Sequence, residues 1–136
     1  MILSLTATIK KKLLQISNVR LGTLTDIFGD VPYSEALQGS VNRNPHFDSQ
    51  EDIYDLLFIM LVDAIADFQK DEVTNPGNYD LLLQGDKNMW EKVTWDLKVR
   101  YVNRLSNIDS DGSATNSLEA LNHSFTSSDK GLIFSD

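Results

Sequence analysis

Thr25-Asp26-Ile27-Phe28-Gly29-Asp30-Val31-Pro32-Tyr33-Ser34-Glu35-Ala36-Leu37 sets a helix-compatible apolar pattern directly against a stop. Gly29 takes the positive φ of a helix C-cap at no steric cost, while Pro32 lacks an N–H, fixes its own φ and drives Val31 towards an extended conformation. A helix therefore ends at Phe28. Traced backwards it begins near Thr8, with Leu13, Ile16, Leu24 and Ile27 on one stripe and Leu14, Leu21 and Phe28 at heptad spacing beside it. Gly22 interrupts the run at about 1 kcal/mol relative to alanine, which burial of the two apolar stripes is expected to offset.

Forward of the stop, residues 34–47 carry Gly39, Asn42, Asn44 and Pro45 and read as a surface loop. Asp48, followed three residues later by Glu51, has the form of a capping box and opens a second helix over 49–70. Ile53, Leu56, Leu57, Met60, Leu61, Ala64, Ile65 and Phe68 give it one broad face to bury. Asn75-Pro76-Gly77-Asn78 is a turn, and Tyr79 to Gly85 reads as a short extended connector. With Asp86 as N-cap, a third helix runs over 87–106 on an inner stripe of Trp90, Val93, Leu97, Tyr101 and Leu105. Lys98, Arg100 and Arg104 lie towards its C-terminal half, where cations suit the helix dipole. After Asn107 the composition turns to Asp, Ser, Gly, Asn and Thr, with a short helical signal over 117–125. Long helices separated by breaker clusters predict an all-α fold of antiparallel hairpins with irregular loops.

Composition narrows the chemistry. The 136 residues carry a net charge of −8, which argues against binding nucleic-acid phosphates, and the Lys10-Lys11-Lys12 cluster reads as a solvated helix face. No cysteine is present, so disulfides, thiol catalysis and cysteine-ligated zinc are excluded. No apolar run approaches the roughly 20 residues that span a bilayer.

Asp26, Asp30 and Glu35 invite comparison with paired glycosidase carboxylates, but Asp30 is read as organising the turn by bonding amides two residues on. Asp109-Ser110-Asp111-Gly112 departs from a calcium loop, because glycine falls at the fourth position and Ala120 stands where the bidentate acid belongs. His46 and His123 are the only histidines and lack ligand spacing. No phosphate loop or nucleophile elbow occurs, so neither a metal, a cofactor nor a catalytic residue is predicted. Trp90 and Tyr101 belong to the predicted core, whereas Trp95 has no clear place. The aromatic residues left as candidates for ligand contact are Tyr33, Phe47 and Tyr79 in the loops.

The ordered set Phe28-Gly29-Asp30-Val31-Pro32-Tyr33, Pro45, Asp48-Ser49-Gln50-Glu51, Gly85-Asp86-x-x-x-Trp90, Leu97-Lys98-Val99-Arg100 and Asn103-Arg104-Leu105-Ser106 resembles the SusD/RagB family, surface nutrient-binding lipoproteins of Bacteroidetes. Ser127 to Ile133 is similar to the family's continuation, so the resemblance covers most of residues 13 to 135. It implies a tetratricopeptide-like helical scaffold, no enzymatic activity, and capture of oligosaccharide or peptide for a SusC-like, TonB-dependent outer-membrane transporter. The implied location is the cell surface, at the outer membrane. Family members are much longer and start with a secretion signal and a lipid-anchored cysteine, so residues 1–136 are expected to form a single partial domain, an internal segment of such a protein. The apolar Leu132-Ile133-Phe134 near the end predicts self-association of the isolated segment. The alternative reading is a standalone helical adaptor that binds a partner protein through an exposed groove.

Overall fold

The computed structural model describes residues 17–36, 38–70, 80 and 82–125. Among them are four helices: α1, described over residues 17–28, α2 (Gln50–Phe68), α3 (Lys87–Arg104) and α4 (Ser110–Leu121). A 3-10 turn, Leu105–Asn107, extends α3. The described residues contain no strand, only a lone antiparallel bridge between Val31 and Asp48. The all-α expectation holds. The predicted start of the first helix near Thr8, with Leu13, Leu14 and Ile16, lies outside the described residues, as do Asn75–Asn78 and Leu132–Phe134.

Side-chain contacts give the helix directions. Asn18 bonds Leu57 and Gln50 bonds Thr25, so α1 and α2 run antiparallel. Tyr54 meets Tyr101 edge-on at 5.9 Å, while Ala64 and Phe68 pack with Trp90, which reverses α3 against α2. Trp95, in the first half of α3, stacks on His123 just beyond the end of α4, while the short 105–109 link joins the end of α3 to the start of α4, so α4 runs back along α3. α3 is thus the shared element between α2 and α4. Ile53, Leu57 and Leu61 of α2 form the main apolar cluster with Val31 and Tyr101, and Leu57 is fully buried.

α1 departs from its prediction. Leu24, Ile27 and Phe28, expected inside, are 44%, 68% and 70% exposed. The buried face instead carries Asn18, Gly22 and Thr25, with Leu21 half-buried beside it. Hydrogen bonds decide the rotation: Asn18 Nδ2 donates to the Leu57 carbonyl at 3.1 Å, and Tyr101 Oη donates to the Asn18 carbonyl at 3.0 Å. Gly22 is where the Tyr101 ring lies against the α1 backbone, since a Cβ there would sit 2.7 Å from the ring's Cε1 and Cζ.

Three further boundaries differ. The cap of α2 falls one residue later than predicted: Ser49 Oγ accepts from the Asp52 N–H and donates to the Asp52 carboxylate at 2.6 Å. Asp48 is drawn off to other amides. The Tyr79–Gly85 stretch, expected to be extended, is turned over 82–85, with φ of 52° at Gln84 and 81° at Gly85. Its cause is the buried Asp80, whose carboxylate accepts from the Gly85 N–H at 2.9 Å and from Trp90 Nε1 at 2.6 Å. The last helix spans 110–121 rather than 117–125, because Asp109 acts as N-cap to the Gly112 N–H at 3.0 Å. Small Ser113 and Ala120, seven residues apart, let this polar segment lie close on α3.

Two sets of substitutions test this packing. Leu57→Ala is expected to cost about 2–5 kcal/mol and Trp90→Ala about 3–5 kcal/mol in denaturant unfolding, as for other buried large-to-small changes. Gly22→Ala is expected to cost about 1–3 kcal/mol through overpacking. In a Tyr101→Ala background that second cost should nearly vanish, because the ring it strikes is gone. Additive effects would show that Gly22 and Tyr101 do not meet.

Candidate functional site

The Gly29–Tyr33 stop and the start of α2 hold each other. Gly29 (φ 75°) closes α1 by donating its N–H to the Thr25 carbonyl at 2.8 Å. Val31 and Asp48 then exchange backbone hydrogen bonds of 3.1 and 3.0 Å. Asp30 Oδ1 reaches forward to the Gln50 N–H at 3.0 Å, satisfying one of the orphan amides in the first turn of α2. In return Asp48 Oδ2 accepts from the Tyr33 and Ser34 N–H groups, both at 2.8 Å. The loop between is braced by Glu35, which accepts from the His46 N–H and from Asn42, each at 2.9 Å.

This clamp corrects the reading of Asp30, which caps the next helix twenty residues on instead of bonding its own turn. It also assigns the carboxylates once compared with a glycosidase pair: Asp30 and Glu35 are engaged by backbone amides. Tyr33 and Phe47 stand 42% and 58% exposed, beside Val31 and Asp48 at the neck of the clamped loop. Tyr79 lies outside the described residues. Trp90 is only 5% exposed and tied to Asp80, and the Trp95 ring carries His123 stacked at 4.6 Å and the Lys98 ammonium at 4.9 Å.

Next to the clamp, a cleft of about 510 Å³ opens where α1 and α3 end and α2 and α4 begin. At its back Asp26 accepts from Tyr54 Oη at 2.5 Å and from Arg104 at 3.1 Å. Burial, and then the bond to Asp26, pushes the Tyr54 hydroxyl above its ordinary range; burial raises Tyr101 to about 12. Both phenols stay protonated donors at neutral pH. Sequence reasoning missed this network, since Arg104 read as helix-dipole electrostatics and Tyr54 was not counted on the inner face of its helix. The (i, i+3/i+4) placement of Tyr54 beside Leu57 and Phe58 is the signal that marks it as inward. Gln50 links clamp and cleft: Asp30 holds its N–H, its amide donates to the Thr25 carbonyl at 2.7 Å, and its side chain lines the cleft. Among the described residues no group of acidic or histidine side chains is arranged to hold a metal ion.

The profile of a SusD-like family, described as starch-binding and associating with the outer membrane, matches residues 9–135. The chain belongs to the SusD-like family. Its fold matches a SusD/RagB family protein from Bacteroides thetaiotaomicron at 31% identity and a TM-score of 0.80, over 93% of this chain and 26% of that one. A chitin-binding protein matches at 30% identity and a TM-score of 0.62, over 77% of this chain and 22% of that one. A chitin-binding SusD homolog from Flavobacterium johnsoniae matches at 25% identity and a TM-score of 0.61, over 71% and 21%. The chain therefore spans about a quarter of the length of these solved relatives. No curated protein matches it. SusD-like proteins are helical, tetratricopeptide-like binding proteins of the outer membrane, and no described helix here is long and apolar enough to cross a membrane.

The clamp has a pH signature. The Ser34 hydroxyl, then the Ser34 and Tyr33 amides, lower the Asp48 carboxyl from 3.8 to about 2. A depressed carboxyl stabilises the fold above its unfolded pKa, and that contribution is lost as pH falls through the folded value. The tether should thus be whole above about pH 4 and fade towards pH 2. Amide NMR shifts of Tyr33 and Ser34 are expected to titrate with a midpoint near 2. A midpoint at the ordinary 3.8 would mean that the carboxylate does not hold them.

Proposed function

We propose that this chain is the helical scaffold segment of a nutrient-binding protein that captures oligosaccharide at the cell surface and passes it to a SusC-like, TonB-dependent outer-membrane transporter. The observation that carries this reading is the family match across residues 9–135, together with 93% coverage of the chain by a SusD/RagB fold at 31% identity. Carbohydrate is favoured over peptide because the family is described as starch-binding and two similar structures are of chitin-binding proteins. Function on this reading is capture and transfer without bond cleavage. The clamped loop contributes Tyr33 and Phe47 as exposed aromatic faces against which the C–H surface of a sugar ring packs. The helices hold that loop in place.

The reading is tested by tagging the native gene product and fractionating its source cells. The tagged protein is expected in the outer membrane, open to protease added to intact cells, and co-purifying with a TonB-dependent transporter. Recovery from the cytosol without a transporter would overturn the proposal and favour the adaptor alternative.

A further inference from the structure

α2 and α4 each pack on α3 and neither packs on the other, which leaves a groove of about 360 Å³ along α3 between them. Phe58 and Val62 of α2 form one bank, Ser113 of α4 the other, and Val102 and Leu105 lie along α3 and its 3-10 extension. Val102 and Ser113 are buried at the floor, whereas Val62 stands 52% exposed. The same face of α2 continues backwards through Asp55 to Glu51, since positions 51, 55, 58 and 62 recur at helical spacing. The groove therefore runs into the cleft at the helix junction, and Leu105 and Asp109 line both. There Asp26, Glu51, Asp55 and Asp109 face one guanidinium, Arg104, which Asp26 already holds. Asp109 is engaged as the cap of α4, but Glu51 and Asp55 pair with no other side chain among the described residues. One face of α2 thus carries two uncompensated carboxylates followed by two apolar side chains, and the core uses the opposite face.

We propose that this groove docks an amphipathic helix of a partner protein, seated by an apolar stripe and held at one end by lysine or arginine over Glu51 and Asp55. The inference goes beyond nutrient capture and does not depend on it. A helix fits for two reasons. The described residues offer no strand edge, so an extended segment would leave its backbone groups without partners, whereas a helix satisfies its own. The apolar side chains of the groove also stand at i, i+4 spacing on α2, the spacing at which a docked helix presents its anchors. From Glu51 to Val62 the face covers about three turns, or roughly 16 Å, which sets the length of the partner segment. Charge sets its direction. A basic residue is drawn to the unpaired carboxylates at the junction, while at the other end Lys98 keeps its ammonium 4.9 Å from the centre of the Trp95 ring and repels one. Cations favour the C-terminal turn of the helix that carries them, so the partner runs antiparallel to α2 with its C-terminal end over Glu51.

The test is titration of the isotope-labelled chain, followed by amide NMR, with a capped peptide of alanine, leucine and lysine about 14 residues long, enough to cover the groove as a helix. Its leucines lie on one helical stripe and its lysines in the last turn. Shifts are expected at Glu51, Asp55, Phe58, Val62, Val102, Leu105 and Ser113, with a dissociation constant on the order of 100 μM that weakens as salt is raised. Glu51→Gln/Asp55→Asn removes the charge and Val62→Ser the apolar anchor. Each is expected to weaken binding by about fivefold or more, with helical circular dichroism retained because all three side chains lie off the buried face of α2. A peptide with glutamate in place of lysine is expected to produce no shifts. Equal binding by a scrambled peptide of the same composition would overturn the proposal, because no stripe is then being read. Shifts of the same size with trilysine alone would reduce the site to loose cation binding and overturn it as well. Shifts that appear on concentrating the chain without peptide would give the groove to a second copy, and shifts elsewhere on the chain would remove it as a dock. Transporter co-purification is independent of all these outcomes, so a silent groove leaves the nutrient-uptake reading standing.

Discussion

The architecture depends on a reciprocal clamp across the α1–α2 junction. Asp30, at the exit of one helix, satisfies an amide of the next, and Asp48, at the entrance of that next helix, satisfies two amides beyond the exit of the first. Between them the Val31–Asp48 bridge pins the two backbones at a single point, and Val31 is buried in the main core. Such an arrangement fixes how far apart and at what angle two helices leave a loop, which apolar packing alone leaves loose. Because Gln50 stands at the junction and also lines the cleft, the clamp sets the position of that part of the cleft wall.

A second constraint follows from Tyr101. Its hydroxyl reaches the Asn18 carbonyl, and its ring lies against the backbone at Gly22. Turning α1 to bury Leu24, Ile27 and Phe28 would regain about 1.5–3 kcal/mol for each fully covered side chain. The same rotation would break the Asn18–Leu57 and Tyr101–Asn18 bonds deep in the core, where each orphaned polar group costs about 1–3 kcal/mol, and would drive a side chain into the Tyr101 ring. Polar and steric terms of a size comparable to the apolar gain hold α1 in the observed rotation, with Leu24, Ile27 and Phe28 outward.

Several elements were legible in the sequence where a residue acts on its immediate neighbours. Gly29 ends α1, Asp86 opens α3, and the 3.6-residue spacing from Ile53 to Phe68 marks the buried face of α2. Much of what stayed hidden involves partners farther along the chain. Asp48 looks like a cap until Tyr33 and Ser34 claim it, fifteen and fourteen residues away. Asp80 gives no local sign that it gathers Gly85 and Trp90 into a turn. The 110–121 segment reads as loop by composition, because its helix is held by the Asp109 cap and the small residues against α3 instead of by an apolar stripe. At the candidate site, Tyr33 and Phe47 were visible as loop aromatics, whereas the Asp26–Tyr54–Arg104 network joins three helices and no spacing rule connects its members.

The neck of the 31–48 loop has a consequence for how such a protein diversifies. Its two ends are tied by bonds that involve only residues 30–34 and 48–50. Closing a loop twice as long costs only about 0.6 kcal/mol more in chain entropy. The stretch between the ties is therefore free to lengthen, shorten or exchange its side chains while the helices beneath keep their places. A scaffold built this way separates the part that must stay constant from the part that can vary, so the exposed surface of the loop can be remodelled without disturbing the helices beneath it.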